Sequence, residues 1–243
     1  MDGHEHIIEV KDMVKKFGSF VANDHLTFYV ERGEIFGFLG ANGAGKTTAM
    51  RILCGLSYPT SGEIRVVGHN VYHERERIKK KIGYMSQKFS LYEDLTVSEN
   101  IHLYAGIYGL GRKKIMAREE QLLERLGLAH IRNRLIGSIP LGWKQKLAFS
   151  VAIFHQPAIV FLDEPTGGVD PITRRQFWEM IHDATEEGIT VFVTTHYMDE
   201  AEYCDRVSIM VDGRIDALDT PAALKQQYES ENMNEVFLKL ARA

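Results

Sequence analysis

Apolar residues in this chain of 243 residues occur in short runs that are separated by turns. Three short segments are rich in strand-favouring residues, at residues 7–10, 26–30 and 64–67. Four other runs are almost continuously apolar, at residues 35–39, 159–162, 191–194 and 207–211. Such runs are typical of strands that are buried on both faces of a parallel sheet. The strand signals therefore lie towards the two ends of the chain.

Helical periodicity appears between these strand signals. Residues 45–56 place apolar side chains on one face of a helix. Asp170 followed by Pro171 indicates the N-cap and first position of another helix, which ends before Gly188. Strands that alternate with helices predict an α/β fold.

The middle of the chain has a different pattern, because residues 92–155 are almost entirely helical in period. Thr96 and Glu99 form a capping box at the start of one helix. Residues 113–126 and 143–155 predict two more helices. We interpret this stretch as a helical subdomain inserted into the α/β core.

Composition narrows the function classes. The chain has 29 Lys and Arg against 33 Asp and Glu, so its net charge of -4 argues against a nucleic-acid binder with a basic face. Cys54 and Cys204 are too few for a disulfide framework or a four-cysteine zinc site. The most apolar stretch, residues 147–162, is shorter than the ~20 residues that a membrane span needs. These features predict a cytoplasmic chain.

The most specific motif is the glycine-rich segment at residues 40–47, Gly-Ala-Asn-Gly-Ala-Gly-Lys-Thr, which follows a predicted strand and precedes a predicted helix. In this context, backbone N–H groups and the helix N-terminus bind a phosphate chain. The lysine neutralises the β- and γ-phosphates, and the threonine hydroxyl binds Mg²⁺. The candidate phosphate-binding residues are Gly40, Asn42, Gly43, Ala44, Gly45, Lys46, Thr47 and Thr48.

Two carboxylates, Asp163 and Glu164, end the apolar run at residues 159–162. Asp163 is suited to contact Mg²⁺ through water, and Glu164 to polarise an attacking water. An apolar run that ends in Asp-Glu is also a common strand end, so the phosphate loop gives this pair its significance. His196 follows the next buried run, where it could reach the γ-phosphate or be a structural histidine.

Together these motifs resemble the ATP-binding subunit of ABC transporters, and the resemblance covers essentially the whole chain. It implies that Phe17 stacks on adenine and that Gln87 touches Mg²⁺ and senses a membrane partner. It also implies that His196 holds the γ-phosphate and that Asp170 lies in a loop joining two ATPases, although Asp170 could equally be only a helix N-cap. Such proteins hydrolyse ATP as head-to-tail dimers.

The resemblance further implies one ABC ATPase domain over residues 1–243, with a P-loop NTPase core of the RecA-like type and an antiparallel β subdomain. The nucleotide-binding core would comprise residues 1–90 and 156–225. Residues 91–155 would form the helical subdomain, and residues 226–243 a helical tail.

The chain departs from the family at the signature segment, where Leu-Ser-Gly-Gly is expected. Leu141 replaces the first glycine, and Pro140 replaces the serine with a residue that has neither hydroxyl nor backbone N–H, so two donors to the partner's γ-phosphate are missing. Gly142 and the following helix N-terminus remain as candidates to contact that phosphate. Each lost charge-assisted bond costs ~1.5–3 kcal/mol. We predict a composite site that is weak alone, in a variant form similar to that of multidrug-efflux ATPases.

The leading hypothesis is a transport ATPase that uses Glu164 and His196 for hydrolysis and Thr47, Gln87 and Asp163 around Mg²⁺. Its partners would be a multi-span membrane permease in a separate chain and a second ATPase subunit, identical or not, and no nucleic acid. It would lie on the cytoplasmic face of the inner (plasma) membrane and drive export. The alternative is a soluble ABC ATPase that acts on ribosomes, DNA or cofactor assembly.

Overall fold

Two β-sheets and eight α-helices form the part of the chain that the computed structural model describes, residues 6–87 and 91–241. Residues 1–5, 88–90 and 242–243, at the ends of the predicted ranges 1–90 and 226–243, lie outside the described residues. The strands are β1 His6–Phe17, β2 Phe20–Glu31, β3 Ile35–Gly40, β4 Ser61–Val66, β5 His69–Asn70, β6 Ile82–Met85, β7 Ile159–Asp163, β8 Thr190–Thr195, β9 Arg206–Val211 and β10 Arg214–Asp219. The helices are α1 Lys46–Leu53, α2 Arg75–Lys79, α3 Val97–Ile107, α4 Arg112–Arg125, α5 Leu141–Ile153, α6 Pro171–Glu186, α7 Pro221–Gln227 and α8 Met233–Leu240.

The larger sheet has six strands in the order β10-β9-β3-β8-β7-β6. All its pairings are parallel except that of β9 with β10. The smaller sheet has the order β2-β1-β4-β5 and is antiparallel. The predicted α/β class with a buried parallel sheet is therefore confirmed.

The parallel sheet divides the core because side chains alternate between its two faces. One face carries phenylalanines that pack with α1 and the antiparallel sheet, and the other carries aliphatic residues that pack with α6 and the helices of the middle segment. The phenylalanine face includes Phe36, Phe38, Phe161 and Phe192. The aliphatic face includes Ile35, Leu39, Val160, Leu162, Val191 and Val193.

Helices α3, α4 and α5 occupy the stretch between β6 and β7, where the sequence predicts helices. The capping box of Thr96 and Glu99 is present at the start of α3. The predicted start of α5 at residue 143 is wrong, since the helix begins at Leu141 with Pro140 as its N-cap. Proline is tolerated there because its missing N–H would have no intrahelical partner.

Several strand predictions were too short or absent. Strands β1 and β2 have 12 residues each and extend well beyond the predicted runs. Their additional positions include exposed polar side chains, which give no apolar signal in the sequence. Strands β5, β6 and β10 were not predicted, and β10 has only one fully buried position. None of the helices in the described parts of the chain has the length and apolar character to cross a bilayer.

Candidate nucleotide-binding site

The glycine-rich loop leads from β3 into α1 at the carboxyl edge of the parallel sheet. Gly45 is the N-cap of α1 with φ 99°, and a Cβ there would lie 2.3 Å from the carbonyl oxygen of Ala22. The buried amide of Asn23 donates a hydrogen bond of 3.1 Å to the carbonyl of Gly45. Glycine is therefore required at position 45, and β2 holds the loop in place.

Lys46 lies beneath this loop and is only 4% exposed. Its ammonium donates to the carbonyls of Gly40 at 2.7 Å and Ala41 at 3.0 Å, and it lies 3.5 Å from Oε1 of Glu164. Burial lowers the pKa of Lys46, and the Glu164 carboxylate opposes that shift. An anionic phosphate in the loop would further favour the charged form of this lysine.

Asp163 ends β7 and is 2% exposed. Its Oδ1 atom accepts hydrogen bonds from the hydroxyls of Thr47 at 3.0 Å and Thr194 at 2.7 Å. The structure thus brings together two of the residues predicted to surround Mg²⁺. Thr194, on the neighbouring strand β8, was not predicted as part of the site.

Glu164 follows β7 with φ 48°, an uncommon backbone conformation for a residue other than glycine. Its N–H donates to both the carbonyl and the hydroxyl oxygen of Thr194, each at 3.1 Å. Its Oε2 atom accepts from the amide of Gln87 at 2.8 Å and lies 3.0 Å from Nδ1 of His196. Backbone strain held in this way is typical of functional sites.

A cleft of about 340 Å³ lies in front of the loop, bordered by most of the predicted phosphate-binding residues. It is lined by Phe20, Ala22, Asn42, Gly43, Gly45, Lys46, Thr47, Thr48, Gln87 and Glu164. Of the other loop residues, Gly40 contributes the carbonyl that holds Lys46, and Ala44 is buried with its N–H bonded to the Ala41 carbonyl.

Phe17 and Phe20 pair across the tip of the β1–β2 hairpin, and of the two only Phe20 lines this cleft. Phe20 lines the cleft and was not predicted, although it follows Phe17 by only three residues. The ring of Phe17 has the Lys15 ammonium 4.7 Å from its centroid. Both rings are more than half exposed, so either is accessible to a flat ligand.

Gly142 and Asp170 do not border this cleft. Gly142 lies in the first turn of α5, where a Cβ would meet the side chain of Thr173 on α6 at 2.7 Å. Asp170 is the N-cap of α6, accepting from the N–H groups of Ile172 and Thr173 and from the Thr173 hydroxyl. The capping alternative is therefore observed, and contacts of both residues with a second subunit stay predictions.

A second cavity, of about 240 Å³, lies on the other side of the Gln87–Glu164 pair. Its walls include Leu141 and Gln145 from the first two turns of α5. The Gln145 amide donates to the Gly167 carbonyl at 3.1 Å. The signature segment of this chain therefore packs against the loop that follows its own Glu164.

The family model described as ABC transporter matches residues 23–167. The chain is 46% identical over 241 residues to the "Probable multidrug ABC transporter ATP-binding protein YbhF" of Escherichia coli, covering 97% of this chain and 42% of that protein. It is 40% identical over 211 residues to the "Bacitracin transport ATP-binding protein BcrA" of Bacillus licheniformis, covering 86% and 68%.

Among solved structures, the chain resembles one subunit of the ATP-binding cassette MJ0796, whose dimeric structure shows a post-hydrolysis state bound to ADP and Pi. The TM-score is 0.79 with 25% sequence identity, and the match covers 88% of this chain and 98% of the other. The whole ATPase architecture is thus shared. The chain spans 42% of the length of the YbhF relative, so that relative has a large further part.

Proposed function

The chain belongs to the ABC transporter family, and from this membership we propose that it is the ATP-hydrolysing subunit of an exporter whose permease is a separate multi-span chain. The observation that carries the proposal is that Glu164, which lines the cleft in front of the phosphate loop, contacts both Lys46 and His196. The names of the YbhF and BcrA relatives, which refer to multidrug and bacitracin transport, support the export class.

The residues around Asp163 are suited to hold Mg²⁺ beside the phosphates. The hydroxyl of Thr47, the carboxylate of Asp163 and the side-chain carbonyl of Gln87 are all oxygen donors, which Mg²⁺ prefers. One carboxylate is sufficient, because substrate phosphates and waters complete such sites. When bound, Mg²⁺ would neutralise charge that develops on the phosphate oxygens.

The protein's own residues then perform defined tasks. When ATP binds, the ammonium of Lys46 leaves its carbonyl partners and Glu164 and contacts the phosphate chain instead. The Glu164 carboxylate is then free of this ion pair. Glu164 accepts a proton from the attacking water as general base. His196, which contacts Glu164, orients this carboxylate and the γ-phosphate. Phe17 stacks on adenine, and Gln87 links the site to the permease.

We propose that a second ATPase subunit, identical or not, completes each site in a head-to-tail dimer, as the dimeric MJ0796 neighbour suggests. Gly142 and Asp170 would act across that interface. Since Pro140 lacks both the hydroxyl and the N–H of the usual signature serine, the site would be weak until a permease or a non-identical ATPase joins. The assembly would lie on the cytoplasmic face of the inner membrane.

A direct test measures phosphate release from Mg-ATP by the purified chain and by the chain bound to its membrane partner. We expect ATP binding by the chain alone and faster turnover in the complex. In parallel, affinity purification from detergent-solubilised cells should recover a multi-span membrane protein. Co-sedimentation with ribosomes instead would support the non-transport alternative. Turnover at a normal exporter rate without any partner would contradict the weak composite site.

A further inference from the structure

Glu200 is a fully buried carboxylate for which the proposed chemistry has no role. It lies in the 3₁₀ turn Met198–Tyr203, four residues after His196. Its Oε1 atom accepts a hydrogen bond of 2.5 Å from the hydroxyl of Thr166, and its Oε2 atom accepts one of 2.5 Å from the hydroxyl of Thr195. Both oxygens of one buried carboxylate are therefore used to join two separate segments.

These two segments are the ones that carry the reacting groups. Thr166 follows Glu164 by two residues, and Thr195 directly precedes His196. Strands β7 and β8 end at Asp163 and Thr195; the N–H of Glu164 still bonds the carbonyl of Thr194, whereas His196 lies beyond the last paired residue of β8. The sheet alone therefore does not fix the distance between these two side chains.

The surroundings of Glu200 hold its side chain in one position. The guanidinium of Arg174 lies 3.6 Å from Oε1 and stacks 4.2 Å from the centroid of the Tyr197 ring. The hydroxyl of Thr195 accepts from the N–H of Tyr197, so its own proton points to Glu200. A buried carboxylate is tolerated only with such partners.

We propose that Glu200 is a positioning residue that ties Thr166 to Thr195 and so holds Glu164 and His196 in hydrogen-bond contact. The role rests on the proposed function, in which Glu164 and His196 act on ATP. Glu200 does not touch the substrate in this role. Its loss would misplace the general base relative to the γ-phosphate while leaving the phosphate loop intact.

The first test compares three variants at Glu200 by kcat and KM for ATP in the complex of the chain with its membrane partner. Glu200→Ala removes both bonds, so we expect kcat to fall about 10–100-fold with little change in KM, as for a small misplacement of catalytic groups. Glu200→Gln keeps the length, since the Thr166 hydroxyl can turn to accept from the amide, and should restore most of kcat. Glu200→Asp keeps the charge but is too short for both threonines.

The order of these variants separates positioning from simple charge burial. Positioning predicts that Glu200→Gln is faster than Glu200→Asp. Pairing with Arg174 alone predicts the reverse order, and that result would overturn the proposal. A folded Glu200→Ala variant with normal kcat would also overturn it.

A second test avoids the risk that Glu200→Ala fails to fold. Thr166→Val and Thr195→Val each remove one hydroxyl with nearly the same shape, and each should lower kcat while KM stays the same. The double variant should lose little more than the worse single variant, because either change already breaks the link. The matched control is Thr185→Val on α6, whose hydroxyl bonds carbonyls of its own helix and should leave kcat unchanged.

The same assay distinguishes the two proposals. If the wild-type chain in complex with its membrane partner releases phosphate no faster than the same complex with Glu164→Gln, the proposed function fails and the role of Glu200 fails with it. If the wild type is active and both threonine variants keep its kcat, only the role of Glu200 fails.

Discussion

The imidazole Nδ1 of His196 lies 3.0 Å from Oε2 of Glu164, although 32 residues separate the two along the chain. The contact arises because β7 and β8 are parallel neighbours that pair Asp163 with Thr194. A carboxylate oxygen only accepts, so Nδ1 of His196 is the donor in this contact. The amide of Gln87 donates to the same oxygen, so three segments meet at one carboxylate.

Replacing this carboxylate with an amide should separate binding from hydrolysis. We expect Glu164→Gln to bind ATP as tightly as the wild type but to turn over ~10²–10⁴-fold more slowly, because an amide cannot accept the proton of water. Calorimetric ATP binding and phosphate release measure the two effects. The matched control is Glu187→Gln at the exposed end of α6, which should retain full activity. Normal turnover in Glu164→Gln would exclude the general-base role.

The sequence predicts those parts of the site that lie within one local motif. The loop at residues 40–48 and the pair Asp163–Glu164 are recognisable because each directly follows an apolar strand. Asn23 and Thr194 were missed because they act through contacts between strands far apart in sequence. No periodicity distinguishes such residues from other polar strand positions.

The limits of the fold prediction have a similar cause. Strand β10 alternates exposed and partly buried positions at the sheet edge, so its apolar signal is weak. Asn100 on α3 is fully buried and bonds the carbonyls of Tyr92 and Thr96, and helical periodicity does not mark a polar residue for burial. Local hydrophobic periodicity reveals neither feature.

The aromatic pair at the hairpin tip gives a second prediction. If Phe17 stacks on adenine, Phe17→Ala should weaken ATP binding by ~1–3 kcal/mol, the usual range for a ring stacked on a base. Titration with ATP and with triphosphate alone measures the effect, because only ATP affinity should fall. Phe20→Ala is the matched variant, since Phe20 lines the cleft on the opposite strand. A larger loss for Phe20→Ala would assign the stacking to Phe20.

Stability should depend on pH through His155, which stacks 3.6 Å from the Tyr108 ring and lies 3.1 Å from the carbonyl of Ile82. Burial lowers the pKa of His155 from 6.5 to about 4. The unfolded chain therefore binds a proton first as pH falls from about 6.5 to about 4, and the free energy of unfolding decreases in that window. Allowing for partial exposure of the ring, we expect a loss of ~1–2 kcal/mol.

Urea unfolding at pH 7 and at pH 4.5 measures this loss. His155→Gln should show a smaller decrease, because an amide can donate to the same carbonyl and does not titrate. His182→Gln, at an exposed position of α6, serves as the control and should behave as the wild type. An equal decrease in His155→Gln and the wild type would remove His155 as the cause.

The last prediction concerns Pro140, which caps α5 without a side-chain hydrogen bond. A serine cap is worth about 1 kcal/mol. Loss of the proline ring costs about 0.4–1 kcal/mol because it gives the unfolded chain more freedom, so the stability of Pro140→Ser should change little.

The serine hydroxyl and N–H are the donors that the signature lacks. Since one charge-assisted bond is worth at least ~1.5 kcal/mol, we expect Pro140→Ser to raise turnover of the purified chain about tenfold. Pro140→Ala supplies only the N–H and should give a smaller gain. Equal rates in the serine and alanine variants would show that the missing hydroxyl does not limit this site.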